Sequence, residues 1–166
     1  MTKRDTRKRK EYPTKMYLRD GRAPIPEKEI VSKIMSSIRS KNTKPELILR
    51  KTLRTIGLCG YRLHWKKAPG RPDICYPGKK IAIFVHGCYW HCCPNCKPNR
   101  PKTHNDFWEE KFSKNIARDK VKIDKLEKDN WNVLVLWECQ LKNDLQECLE
   151  RIKGIFIKSI SMQGSL

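Results

Sequence analysis

No stretch of this 166-residue chain approaches the roughly 20 consecutive apolar residues of a membrane-spanning helix, and its basic N-terminus lacks the apolar segment of a secretory signal. A cytoplasmic protein is therefore expected, with no membrane partner. Acid is also scarce: 18 Asp and Glu face 37 Lys and Arg, a formal net charge of +19. Such an excess makes a polyanion the natural partner through Coulomb attraction and counterion release, with nucleic acid favoured over an anionic lipid surface. The length suffices for one domain with a proper core and is too short for two large ones. A disulfide framework is missing as well. There are eight cysteines, but Cys88, Cys92, Cys93 and Cys96 lie too close together to pair among themselves, and a reducing compartment keeps thiols free.

What the chain does have is concentrated in residues 86–96, where His86 and His91, four cysteines, Tyr89 and Trp90 fall within one short run. Cys93-Pro94-Asn95-Cys96 has the spacing of a zinc knuckle, and Cys88 supplies a third thiolate within reach. Cys139, directly after an apolar run at 133–137, is the best fourth ligand. Cys92 competes with Cys93 for its place. His86 and His91 are candidates for moving protons near a phosphate, or one of them could ligate zinc instead. Tyr89 and Trp90 are either core residues or a pair that stacks on or wedges between bases.

Upstream, Pro72-Asp73 follows a stiff Gly70-Arg71 approach and places a carboxylate at the start of a strand, where it can hold a hard cation or simply bond turn amides. Residues 73–76 and 81–85 flank Pro77-Gly78-Lys79-Lys80 and read as a β-hairpin in which Tyr76 faces Ile81 and Asp73 faces Phe84. This register puts Asp73 beside Val85 and His86. One element is missing from the familiar PD…D/E-x-K nuclease pattern: the second strand carries Phe84-Val85-His86 where an acid and a lysine would stand. A backbone carbonyl near Val85, with the two histidines, would have to replace them.

The remaining pattern is mostly helical. Residues 1–28 read as a basic, flexible tail too poor in apolar residues to order itself, and a single domain is expected over 29–160. A short helical pattern runs from Glu29 to Met35. Thr43, Pro45 and Glu46 are an N-cap, a first-turn proline and a capping-box acid, opening a helix over 45–56 that stops at Gly57. Apolar residues at near-helical spacing predict a long helix over 105–130 with Phe107, Trp108, Phe112, Ile116, Ile123 and Leu126 on its core face. A strand at 133–137 and a helix at 142–158 complete an α/β domain with a central mixed sheet flanked by helices.

These motifs, in this order, resemble the very-short-patch repair (Vsr) DNA mismatch endonucleases. The resemblance runs through residues 32–46, Pro69-Gly70-Arg71-Pro72-Asp73, Phe84 to His91, Phe107 to Lys111 with Asn115, and Val135 to Cys139. It implies a restriction-endonuclease-like core that nicks one strand of double-stranded DNA 5′ of the thymine in a T:G mismatch, the lesion left by deamination of 5-methylcytosine. It further implies Mg²⁺ held by Asp73 and the Val85 carbonyl, His91 as general base, His86 as second catalytic histidine and Glu46 as a catalytic acid supporting the metal and its water. Tyr89, Trp90 and Met35 match an intercalating wedge, and Lys111 and Asn115 match DNA-binding positions. A structural Zn²⁺ at Cys88, Cys93, Cys96 and Cys139 is implied, although the family pattern has a histidine and a cysteine one residue apart at the two middle ligands where this chain has the longer Cys-Pro-Asn-Cys. A nucleoid-associated monomer that contacts mismatch-repair proteins is the corresponding expectation. Two other readings are open: a zinc-stabilised mismatch-binding module without nuclease activity, and a nuclease of the same chemistry acting on another lesion or sequence context.

Overall fold

The computed structural model describes residues 41–101 and 105–161. The expected N-terminal tail, the 29–35 helical pattern and Met35 lie outside the described residues. Helix α1 (Lys44–Thr55) opens at Thr43, whose hydroxyl donates to Glu46 Oε1 at 2.8 Å, and carries Pro45 in its first turn. It closes at Ile56, after which Gly57 adopts a positive φ of 79°. Leu49 and Leu53 are fully buried, whereas Leu47 faces solvent, because two residues of helix rotate it roughly 200° from Leu49.

Strands β1 (Arg62–Leu63), β2 (Ile74–Tyr76), β3 (Ile81–His86) and β4 (Asn132–Trp137) form one sheet in the order β1-β2-β3-β4. The first three run antiparallel, and β3 pairs with β4 in parallel. Tyr76 pairs with Ile81 as the hairpin register predicts, and the connection is a single 3₁₀ turn, Pro77–Lys79. A parallel β3–β4 pair requires a long crossover. Helix α2 (Asn105–Lys128) supplies it and covers one sheet face, where Ala82, Phe84 and Leu126 pack with Cys75 and Ala68.

The other face carries the main core. Ile74, Ile81, Ile83, Leu134 and Leu136 meet Leu49 and Leu53 of α1 and the C-terminal helices. The helix expected over 142–158 is α4 (Leu145–Ser161), and a short helix not expected, α3 (Glu138–Asn143), precedes it directly after β4. Asp144 breaks the run, its carboxylate accepting the Glu147 N–H at 2.9 Å as a cap for α4. The core stripe of α2 also differs from expectation. Its buried residues are Phe112, Asp119 and Leu126, spaced by seven, while Ile116 is 49% exposed. The result is a mixed sheet flanked by helices on both faces, and among the described residues no helix is long and apolar enough to cross a membrane.

Candidate active site

The β2–β3 hairpin sets the first half of the site. Asp73 stands just before β2, and its Oδ2 accepts the Val85 N–H at 2.8 Å. In a β-strand the N–H and C=O of one residue face the same neighbour, so the Val85 carbonyl is on the side of Asp73. Burial raises the Asp73 carboxyl above its usual range, against the Val85 bond that lowers it, and nearby Glu46 pushes in the same direction as burial. Oxygen donors on a partly desolvated carboxylate suit a hard divalent cation.

Glu46 reaches the same place from the first turn of α1. It is only 3% exposed and does two jobs there. Its oxygens accept the N–H groups of Asn42 at 3.1 Å and Thr43 at 3.4 Å, so it caps the helix as its spacing predicts. It also accepts Arg50 Nη2 at 2.6 Å, while Arg50 Nη1 donates to Asn42 Oδ1 at 2.6 Å. A buried carboxylate with a guanidinium one turn away is held in one orientation. His64, at the end of β1, completes the group: its Nδ1 is 3.5 Å from Asp73 Oδ1 and its Nε2 is 3.8 Å from Glu46 Oε2. The reading of the sequence passed over His64 because nothing in its local pattern marks it.

The second half lies at the end of β3 and on α2. His86 is buried and stacks on His91, with ring centroids 4.1 Å apart and planes 13° from parallel. Burial, reinforced by His91, pulls the His86 pKa down to about 4, so its ring is neutral at neutral pH. His91 Nδ1 pairs with Asp119 Oδ2, and Asp119 Oδ1 accepts Lys122 Nζ at 3.0 Å. Burial alone would raise the Asp119 carboxyl, but its bonds to His91 and Lys122 outweigh that and hold it well below the usual range. The carboxylate therefore fixes the proton on His91 Nδ1 and leaves Nε2 free to accept one. Sequence reasoning missed Asp119. Its signal is an acid on the Phe112–Leu126 seam of α2, where an apolar residue would otherwise sit.

Gly70 ties the halves together. It has a φ of 70°, and a Cβ there would lie 2.7 Å from Lys122 Cβ. The chain leading into Asp73 thus presses against the stem of the lysine that holds Asp119.

Between β3 and α2 the chain has no helix or strand through residues 87–101. Four thiols gather there: the sulfurs of Cys88, Cys93, Cys96 and Cys139 all lie within 4.8 Å of one another. Cys93 Sγ is 3.6 Å from Cys139 Sγ, and the Cys139 N–H donates to Cys88 Sγ at 3.3 Å. Sulfurs about 2.3 Å from one tetrahedral ion stand about 3.8 Å apart, so the donor set fits zinc in number, type and spacing. Burial raises the Cys88 and Cys139 thiols, whereas at Cys93 the amides of Cys96 and Asn95 aimed at its sulfur outweigh burial and lower it, toward the thiolate a metal binds. Cys92 is outside this group. Its backbone has a φ of 53°, and it lines a groove with His86, His91 and Trp137.

The same loop carries an aromatic cluster. Tyr89 and Trp90 are half-buried and pack edge-on to each other, and Tyr89 meets Trp108 and Phe112 of α2. Lys111 Nζ lies 5.1 Å from the Trp90 ring and 5.0 Å from Trp108, and Asn115 Nδ2 donates to the Trp90 carbonyl at 3.0 Å. Lys111 and Asn115 therefore brace the face that bears the aromatic pair.

Comparison with known proteins gives a consistent family. Residues 24–97 match the sequence model of the DNA mismatch endonuclease Vsr. Type II nicking enzyme V.XorIIP of Xanthomonas oryzae pv. oryzae is 42% identical over 123 residues, covering 74% of this chain and 88% of that protein. Type II nicking enzyme V.NmeAIP of Neisseria meningitidis is 43% identical over 122 residues, covering 74% and 86%. DNA mismatch endonuclease Vsr of Escherichia coli K12 is 37% identical over 120 residues, covering 72% and 76%. Among solved structures, the catalytic domain of homing endonuclease I-Bth0305I aligns with a TM-score of 0.49 at 24% identity, over 72% of this chain and 99% of that one.

Proposed function

This chain belongs to the Vsr DNA mismatch endonuclease family, and from that premise we propose that it nicks one strand of duplex DNA on the 5′ side of the thymine in a T:G mismatch by Mg²⁺-dependent hydrolysis. The observation that carries the reading is the pairing of a carboxylate group with a carboxylate-backed histidine. Asp73 with Glu46 stands at one end of the sheet, and Asp119–His91 stacks on His86 at the end of the adjoining strand. A protein that only binds mismatches has use for the basic surface and the aromatic pair. It has no use for a buried acid holding a histidine tautomer.

Asp73 and the Val85 carbonyl are the residues that would hold Mg²⁺, whose positive charge, when bound, stabilises the scissile phosphate and the departing oxygen. His91 Nε2 takes a proton from water, and Asp119 stabilises the imidazolium that forms. The resulting hydroxide attacks phosphorus in line, the bond to the 3′ oxygen breaks, and that oxygen leaves as a 3′-hydroxyl after taking a proton from solvent water, with the phosphate retained on the 5′ end; the His91 imidazolium returns its proton to solvent. Neutral His86 stacks against His91 and donates a hydrogen bond to the phosphate without adding charge beside the base. Glu46, fixed by Arg50, keeps its carboxylate near Asp73, where it would support the metal and its water by accepting hydrogen bonds. Cys88, Cys93, Cys96 and Cys139 would hold Zn²⁺ that keeps the 87–101 loop in shape and takes no part in the chemistry. Tyr89 and Trp90 enter the base stack beside the mismatch, braced by Lys111 and Asn115.

A second reading has its own support. Two of the similar proteins at 42–43% identity carry the name type II nicking enzyme, which favours a nick placed within a particular sequence context. The test is one assay: duplexes carrying T:G, T:A or C:G at one position, in several flanking sequences, with Mg²⁺ or with EDTA. A single nick confined to T:G with Mg²⁺ is expected. Equal cutting of all three duplexes, or cutting in EDTA, would overturn the T:G and Mg²⁺ reading, and dependence on one flank would define the context.

A further inference from the structure

We infer that His64 is a third protein ligand of the metal ion at Asp73 and that it gives this site a preference for Mn²⁺ over Mg²⁺. The inference rests on the reading above that Asp73 holds a catalytic cation. Neither the capping pattern of α1 nor the Pro-Asp motif requires a histidine at this position, yet its ring sits between the two carboxylates. One nitrogen faces each of them.

The geometry suits a ligand. Two donors about 2.1 Å from one ion are about 3.0 Å apart at a right angle and about 3.4 Å apart at the tetrahedral angle. His64 Nδ1 and Asp73 Oδ1 are 3.5 Å apart. The far side of the ring is equally suited, because a metal-bound histidine usually donates its other N–H to a carboxylate, which fixes the ring. His64 Nε2 faces Glu46 Oε2 at 3.8 Å, and Glu46 is itself held by Arg50 and the amides that open α1. Arg50 Nη2 lies 3.4 Å from Nε2. A guanidinium only donates, so Nε2 accepts and the proton resides on Nδ1. Were Nδ1 to hold an ion, its proton would pass to Nε2 and Arg50 Nη2 would have to give up its contact there for Glu46 to accept, with no net proton released. Glu46 thereby acts on the ion through the imidazole.

The backbone supports a dedicated position. His64 has a φ of 45°, in the left-handed region that costs a side-chain-bearing residue strain and is over-represented where a site dictates orientation. The neighbouring β1 residues, Arg62 and Leu63, pair with Cys75 and Ile74, so His64 is anchored to the strand that follows Asp73.

An imidazole beside two carboxylates changes the selectivity of an otherwise all-oxygen site. Oxygen donors alone suit Mg²⁺, and nitrogen ligands favour transition ions, of which Mn²⁺ also accepts oxygen donors. The experiment follows Mn²⁺ binding to the full-length protein without DNA, from the loss of the free-ion electron paramagnetic resonance signal, with Mg²⁺ as competitor. The proteins are the wild type, His64→Asn, His64→Gln and Asp73→Asn. Asparagine tolerates a left-handed backbone, so His64→Asn keeps the fold, with a thermal melt as the check. The wild type should bind Mn²⁺ at least tenfold more tightly than Mg²⁺. Both His64 variants should lose about tenfold in Mn²⁺ affinity with a smaller loss for Mg²⁺, and Asp73→Asn should lose binding of both. Unchanged Mn²⁺ and Mg²⁺ affinities in a folded His64→Asn, with binding lost in Asp73→Asn, would overturn the role of His64 while leaving the metal reading of Asp73 intact. Binding that survives in Asp73→Asn would overturn both.

Discussion

The Glu46–Asp73 side of the site and the His91 side are supported in opposite ways. Asp73 leads into a strand whose residues are entirely buried, and Glu46 sits on a helix anchored by the fully buried Leu49 and Leu53. The hydrophobic core that stabilises the domain also aims these carboxylates. His91, Tyr89 and Trp90 belong instead to residues 87–101, which have no regular structure, and their position depends on four thiols and on the side chains of α2. A site of this kind has one side that fails only when the fold fails, and another that can be dismantled while the sheet remains.

The largest effect should come from taking away the support of the second side. A structural zinc contributes about 10–16 kcal/mol of folding free energy in small finger peptides, so Cys139→Ser should release the metal and let the 87–101 loop unfold. Metal analysis should show the loss of about one equivalent of zinc, and nicking should disappear. Hydrogen exchange should find the β2–β3 amides still protected. Full retention of zinc would move the fourth ligand elsewhere, and collapse of the sheet would remove the contrast between the two sides.

Next in size is Asp119→Asn. It keeps the shape of the side chain and removes the charge that fixes the His91 tautomer, so nicking should fall on the order of a hundredfold to ten-thousandfold. Binding to the mismatched duplex, measured separately by fluorescence anisotropy, should change little. A variant that nicks at the wild-type rate would leave His91 without its supporting acid.

The first side yields to core damage instead. Leu53→Ala removes a fully buried side chain on α1 and should cost about 2–5 kcal/mol of stability in denaturant unfolding. Zinc content should be unchanged in the folded fraction. Equal loss of zinc would mean that the two sides share one support.

This contrast also explains what the sequence made legible. The hairpin register and the capping role of Glu46 follow from neighbours within a few positions, whereas the metal roles of Asp73 and Glu46 came from the family resemblance, and the structure places Tyr76 opposite Ile81 and Thr43 at the start of α1 as the local rules require. The place of Cys139 was legible for another reason: the end of the closing strand can return to the loop after β3, and its sulfur does gather with those of Cys88, Cys93 and Cys96. Asp119 and His64 were not legible, because each meets the site through a long-range contact, from the middle of α2 and from an edge strand of two residues. The final helix expected over 142–158 is present as Leu145–Ser161, and what the sequence did not show is the short helix before it, separated from it by the Asp144 cap.

The smallest effect tests whether the aromatic face works as a braced unit. Lys111 stands over both Trp90 and Trp108, and such a cation–π contact contributes about 0.5–1 kcal/mol where exposed and about 2 kcal/mol where desolvated. Lys111→Met keeps the length of the side chain and removes its charge. Affinity for a T:G duplex should fall about threefold to thirtyfold, and the preference for T:G over T:A should fall with it, because a loosened Trp90 wedges less selectively. If Lys111 instead only meets a phosphate, affinity should fall equally for both duplexes and the slope of log affinity against log salt should lose about one unit. A reduced mismatch preference with an unchanged salt slope therefore identifies Lys111 as the brace of the aromatic pair, and it places this charge with the four cysteines among the supports of the side that the core does not hold.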